Sequence, residues 1–290
     1  MNKIWTAMVG DNIRVFMADT SNMVKKAADI HKTSGISTVA LARTLTGTSI
    51  LGKTLKNDRD MLTVKVAGSN QIKTILATTD ASGHVKGYIS DPDAELPTQN
   101  HFDKIGKAIG LGGSITVIRD FGLKEPYIGM SHLIAGEIDE DIAFYFKNSE
   151  QQPSWMKLDC QIVEGEVLGA GGFFIQSLPD ITAKERQVFM DLEDDQGLLI
   201  RKLYQGAQPQ EVLKALFPSL DVKMTGEFEV DFRCDCSKER IARALLTIGY
   251  DDLNTILVED GQAEINCHFC NTNYHFDDQD LRGLINLVKK

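Results

Sequence analysis

Cys234-Asp235-Cys236, thirty intervening residues, then Cys267-His268-Phe269-Cys270: four of the chain's five cysteines fall in this one stretch near its end. Two close pairs, separated by about one small module, have the layout of a four-thiolate zinc site. A C-x-x-C loop lets both sulfurs reach one tetrahedral ion. The C-x-C pair is shorter and less usual. Its sulfurs are close enough to join, but the small ring would be strained, and strained disulfides are the labile ones. The arrangement therefore suits two states. Reduced, Cys234, Cys236, Cys267 and Cys270 hold Zn2+; oxidised, each near pair can close on itself and release it. The plainer alternative is a closed zinc knob that only holds the end of the chain together. His268 and His275 lie beside the ligands, but four thiolates already fill a tetrahedral shell.

The cysteines set a small module, 231–290, apart from a larger N-terminal body. A length of 290 residues suits one large domain plus a small one. No apolar run approaches the eighteen residues of a membrane span. The N-terminus, broken by Asp11 and Arg14, does not read as a signal peptide. The expectation is a cytoplasmic protein without membrane contact, where clustered cysteines favour metal or redox chemistry over permanent bridges. Net charge is −10, and residues 231–290 carry 7 Lys/Arg against 11 Asp/Glu. Both counts argue against a nucleic-acid backbone as partner.

The body reads as α+β. Residues 1–20 suggest a strand and turn, and Ser21 a cap for a helix through Val24, Ala27 and Ile30. Residues 38–55 keep a helical period with many small residues, as in a buried helix. Within it, Gly47-Thr48-Ser49-Ile50-Leu51-Gly52-Lys53-Thr54 matches the pattern of a phosphate-binding P-loop. That chemistry needs a strand, a flexible loop and then a helix. Here the match lies inside a helical period, so no ATP site is expected. Residues 61–120 alternate in period two between turn signals, which predicts an antiparallel meander, with a further strand near Tyr127–Ala135. A helix over Ile138–Ser149 follows. A hairpin over 158–178 is predicted, with Gly169-Ala170-Gly171-Gly172 as its tight turn or as a point of close backbone approach.

From Pro179 the composition shifts to a charged helical connector, 179–230. Thr182-Ala183-Lys184-Glu185 forms a capping box. Val188, Phe189 and Leu192 follow at helical spacing. Pro209 opens a second helix with Val212, Leu213, Leu216 and Phe217 as its apolar face. The predicted organisation is an antiparallel-sheet core domain with packed helices (1–178), a helical linker (179–230) and a small C-terminal zinc-binding domain (231–290).

The motif residues also carry a resemblance. Cys234-Asp235-Cys236-Ser237, Ile248-Gly249-Tyr250-Asp251-Asp252-Leu253, Cys267-His268-Phe269-Cys270-Asn271 and Tyr274-His275-Phe276 closely resemble the redox-regulated heat-shock chaperones of bacteria, the 33 kDa chaperonin family. Arg43-Thr44-Leu45-Thr46-Gly47-Thr48, Gly122-Leu123-Lys124-Glu125-Pro126-Tyr127 and Ala170-Gly171-Gly172-Phe173 extend the likeness along the chain. The resemblance implies an ATP-independent holdase rather than an enzyme, with an inactive reduced zinc form. It implies that oxidation forms Cys234–Cys236 and Cys267–Cys270 bridges, releases zinc and loosens the linker. It further implies an active homodimer that binds unfolding client proteins. The linker face of Val188, Phe189, Leu192, Val212, Leu213, Leu216 and Phe217 is then the candidate client surface. Cys160 has no role in the motif. The competing readings are a zinc-module regulatory or nucleic-acid-binding protein, disfavoured by charge, and an enzyme, for which no catalytic constellation can be placed.

Overall fold

In the computed structural model, which describes residues 2–94, 105–192 and 197–288, the chain opens with a hairpin of β1 (Lys3–Val9) and β2 (Ile13–Asp19). Helices α1 (Ser21–His31) and α2 (Gly35–Gly52) follow. Thr20, not Ser21, is the N-cap of α1. Asp19 accepts from the Ser21 amide and hydroxyl and takes over the capping. Apart from Arg43, whose guanidinium pairs with Glu137 at 2.8 Å, helix α2 is apolar or small all round, and it is buried from Ile36 to Gly52, as a helix with no solvent face must be. It packs against strands of both large sheets.

One sheet is antiparallel, as expected, but it is not a simple meander: Ser114–Asp120 returns to pair with Met61–Ala67 rather than with its predecessor Val85–Ile89, from which 24 residues separate it, too many for a tight hairpin. Strands β3 (Met61–Ala67), β4 (Thr74–Asp80), β5 (Val85–Ile89), β6 (Ser114–Asp120) and β7 (Tyr127–His132) run antiparallel in the order β5-β4-β3-β6-β7. Its alternation is visible because only one face is covered: Leu62, Val64, Val66, Ile115 and Val117 are buried, while Thr63, Lys65 and Thr116 are not. A short helix α3 (Gly106–Ile109) precedes β6. Helix α4 (Asp139–Ser149) has three acids in its first turn, matching the helix dipole.

The second sheet has the order β10-β1-β2-β9-β8, with β10 (Val222–Glu229) at one edge and β8 (Ser154–Val163) and β9 (Glu166–Ser177) forming a long hairpin. It is buried on both faces. Phe16, Ala18 and Phe174 point into the core around α2, while Val15, Met17, Phe173 and Ile175 point into a second core on the other side. The hairpin turns at Glu164-Gly165, both with positive φ (53° and 85°), which suits a two-residue loop. Gly169–Gly172 is therefore not the turn; it lies within β9. Close approach explains these glycines. A side chain at Gly169 would strike the Tyr204 ring, and one at Gly171 would strike the Ala18 carbonyl.

The connector contains α5 (Ala183–Met190), α6 (Leu198–Tyr204) and α7 (Pro209–Leu216). It does not stay helical to its end. Val222–Glu229 forms β10, paired antiparallel with β1 from Lys3↔Glu229 to Val9↔Val222. Alternation in Val222, Met224 and Phe228 is present, but Gly226 and the interleaved polar residues hide it.

The chain divides into two compact units, Met1–Arg233 and Cys234–Lys290. The second holds α8 (Lys238–Leu246), α9 (Tyr250–Glu259), the hairpin β11 (Ala263–Asn266) and β12 (Asn273–Phe276), and α10 (Asp278–Val288). Its core is small: Leu245, Leu253, Phe276, Leu281, Leu284 and Ile285. Domains of this size commonly need a metal or a disulfide to be stable.

Candidate metal centre and the covered linker face

The turn between β11 and β12 carries the second cysteine pair. The Cys267 amide donates to the Thr272 carbonyl (2.9 Å), and the amides of Cys270 and Asn271 donate back to the Cys267 carbonyl (3.2 and 2.8 Å). Asn271 takes a left-handed φ of 55°, which closes the knuckle and turns both sulfurs to one side. The first pair lies in the extended segment before α8. Ser237 ends that segment by capping α8, accepting from the Arg240 amide at 3.2 Å, and an Asp235–Arg240 ion pair ties the same turn.

The four sulfurs lie within 4.8 Å of one another and are unbridged. Cys234 Sγ is 3.7 Å from Cys267 Sγ, and Cys236 Sγ is 3.3 Å from Cys270 Sγ. A tetrahedron with metal–sulfur bonds of about 2.3 Å has edges of about 3.8 Å, so the cluster fits a tetrahedral zinc ion. Among the described residues this cluster holds no histidine. His275 instead faces Glu264 across the hairpin.

The surroundings act on the sulfurs. The Tyr274 hydroxyl donates to Cys236 Sγ at 3.0 Å, and Thr272 Oγ1 lies 3.2 Å from Cys270 Sγ. Burial raises the Cys234 and Cys267 thiols, and burial also opposes ionisation at Cys270. There the side chain and backbone of Thr272 prevail and bring the thiol down to about 7. Such polar neighbours orient and tune metal ligands. Tyr274 and Thr272 carried no sequence signal beyond lying inside the motif. Cys160 is different in kind. It is 4% exposed on β8, and burial, with Asp159 beside it, pushes its thiol up to about 12. That environment makes it inert.

The candidate client residues are brought onto one surface. Leu192, Val212, Leu213, Leu216 and Phe217 are buried, and Val188 and Phe189 partly so, in the second core. Their cover is the sheet of the same unit, through Trp5, Val9, Val15, Met17, Phe173 and Ile175. Two polar fastenings hold them there; the capping box of Thr182 and Glu185 forms as expected, but its reach to the β1–β2 turn and the tie of α6 to Asp159 have no local sequence signal. Glu185 is buried and accepts from the amides of Asp11 (2.8 Å), Asn12 (3.1 Å) and Thr182 (2.9 Å), from Asn12 Nδ2 and from the Thr182 hydroxyl. Burial opposes its ionisation, yet these hydrogen bonds hold its pKa down to about 2. On α6, Arg201 Nε pairs with Asp159 at 3.2 Å, and the Tyr204 hydroxyl reaches Asp159 and Gln161.

The P-loop match lies on α2, as expected. Gly47–Gly52 are helical, Lys53 is the C-cap, and its ammonium donates to the Ala81 carbonyl at 2.7 Å. Among the described residues no helix is long and apolar enough to cross a membrane.

A family model described as Hsp33 protein matches residues 3–277. The 33 kDa chaperonin of Alkaliphilus metalliredigens is 40% identical over 280 residues, covering 94% of each chain. That of Clostridioides difficile is 41% identical over 277 residues, again covering 94% of each. Among solved structures, the 33 kDa chaperonin (heat shock protein 33 homolog) of Thermotoga maritima superposes with a TM-score of 0.85 at 30% identity, covering 99% of this chain and 98% of that one.

Proposed function

This chain belongs to the Hsp33 family of chaperones, and from that premise we propose that it is a redox-switched, ATP-independent holdase. The observation that carries the reading is the four-cysteine cluster at zinc-ligand spacing. Cys234, Cys236, Cys267 and Cys270 would hold zinc in the reduced protein. When bound, zinc keeps four thiolates ionised and ties the β11–β12 knuckle to the segment before α8.

On oxidation the proposed bridges are Cys234–Cys236 and Cys267–Cys270. For each, a thiolate attacks peroxide to give a sulfenic acid and hydroxide, which takes up a proton to become water. The neighbouring thiol then displaces a second water and forms the disulfide, so one peroxide takes two electrons. Closing both local pairs would leave no thiolate to hold the ion. A unit with six buried apolar side chains then lacks its main support.

The connection to the linker runs through 230–233. The Val85 amide donates to the Asp231 carbonyl, the Arg233 amide donates to the Val85 carbonyl, and Phe232 is buried in the main core. Cys234 follows directly. In our reading, loss of order beyond Cys234 weakens this anchor, and the linker helices lift from the sheet. Lifting bares two matching apolar surfaces for an unfolding client: the linker face of Val188, Phe189, Leu192, Val212, Leu213, Leu216 and Phe217, and the sheet face beneath it. Dimerisation of the oxidised form and a cytoplasmic setting belong to the same reading.

The test is zinc content and suppression of client aggregation, measured before and after peroxide with mild heat. One zinc per reduced chain, lost as activity appears, is expected. Full activity with zinc retained contradicts the proposal.

A further inference from the structure

The seam between α5 and the body of its unit holds a pocket of about 780 Å³. That is the size of a site for a small organic ligand. The body contributes Arg14 from β2 and Lys56 from beyond α2; the linker contributes Arg186 from α5. Leu178, Ile181 and Phe189 supply apolar wall.

The charges are unbalanced. The carboxylate on the wall, Glu150, is already engaged by Arg119 (3.3 Å) and by the Tyr145 hydroxyl (2.8 Å). Arg14 has no carboxylate partner among the described residues. Its Nη2 donates to Gln176, its guanidinium lies 5.2 Å from the centre of the Phe16 ring, and its buried Nε has no hydrogen-bond partner. Burial alone acts on its pKa, and lowers it. Neither Lys56 nor Arg186 forms an ion pair among the described residues. Among the described residues no carboxylate pairs with any of these three cations.

We propose that this pocket binds a small amphiphilic anion, its head held by Arg14 and Arg186 and its tail lying along Leu178, Ile181 and Phe189. Guanidinium forks suit such a head group. Arg14 belongs to the sheet and Arg186 to the linker, so a bound anion bridges the two and fastens α5 to the body. Any effect on activation rests on the linker release proposed above; binding and bridging do not.

The experiment uses the full-length reduced protein with decanoate as probe, decanol as the uncharged control and acetate as the control without a tail. Calorimetry should show decanoate binding at least tenfold more tightly than either control, and more weakly as salt rises. Arg14→Gln should cost tenfold or more. Arg186→Gln and Lys56→Gln, both of exposed side chains, should each weaken binding severalfold without disturbing the fold. Hydrogen exchange across 183–190 should slow when decanoate binds. Decanol binding as well as decanoate, or affinity unchanged in the Arg186→Gln and Lys56→Gln double variant, would overturn the site. Binding without slower exchange in α5 would overturn the bridge.

Discussion

Replacing Glu185 by alanine tests how the linker is fastened. The carboxylate joins the N-terminus of α5 to the β1–β2 turn and receives five hydrogen bonds, three of them from backbone amides. Its pKa falls from the ordinary 4.5 to about 2. The depressed pKa means that the ionised form favours the docked state. Alanine also strands amides at a buried position, each at a cost of about 1–3 kcal/mol before water fills the gap. A loss of about 3–5 kcal/mol in α5 docking is the expected size. Hydrogen exchange reads it locally. Amides of 183–190 should exchange at least a hundredfold faster at pH 7, while α2 and β3–β6 keep their protection. The reduced variant should also suppress client aggregation without peroxide. In the unaltered protein the pH dependence has a definite sign: because the folded pKa is depressed, this stabilisation is complete above about 4.5 and declines as pH falls toward 2. Unchanged exchange in α5, or equal acceleration throughout unit 1, would refute the role of Glu185 as a local fastening.

Asp159→Asn removes the charge that pairs with Arg201, and should loosen α6 by about 1–3 kcal/mol, seen as faster exchange across 198–204 and a lower peroxide requirement. Cys267→Ser removes one corner of the cluster. Zinc content should drop well below one per chain, and exchange protection should be lost across 238–288 in the reduced protein. Lys53→Ala should cost about 1 kcal/mol, from the Ala81 hydrogen bond and the Phe228 ring 3.9 Å away. No heat of ATP binding should appear in either form, because the matching amides belong to a helix.

What could be read from the sequence follows from how each signal is encoded. The cysteines declare themselves because their spacing is local and their chemistry narrow. The strands of the first sheet declare themselves because one face meets solvent and Leu62, Val64 and Val66 alternate with polar residues, but their order does not, since β6 pairs back to β3 across a long connection. The other sheet hides. Buried on both faces, β9 shows no alternation, and its glycines, placed for Tyr204 and the Ala18 carbonyl, imitate a turn. Strand β10 gains its partner from β1, more than two hundred residues away, so local pattern alone left it within a helical linker. Helical spacing showed that Val212, Leu213 and Leu216 share a face. It could not show that Trp5, Met17 and Phe173 cover that face.

If the cysteine cluster controls the cover of the linker, hydrogen exchange on matched reduced and peroxide-treated protein will report it. After zinc release, protection should vanish across 238–288 and fall across 183–229, while α2 and β3–β6 stay protected. Protection retained across 183–288 after zinc is lost, or lost throughout 3–177, would contradict it.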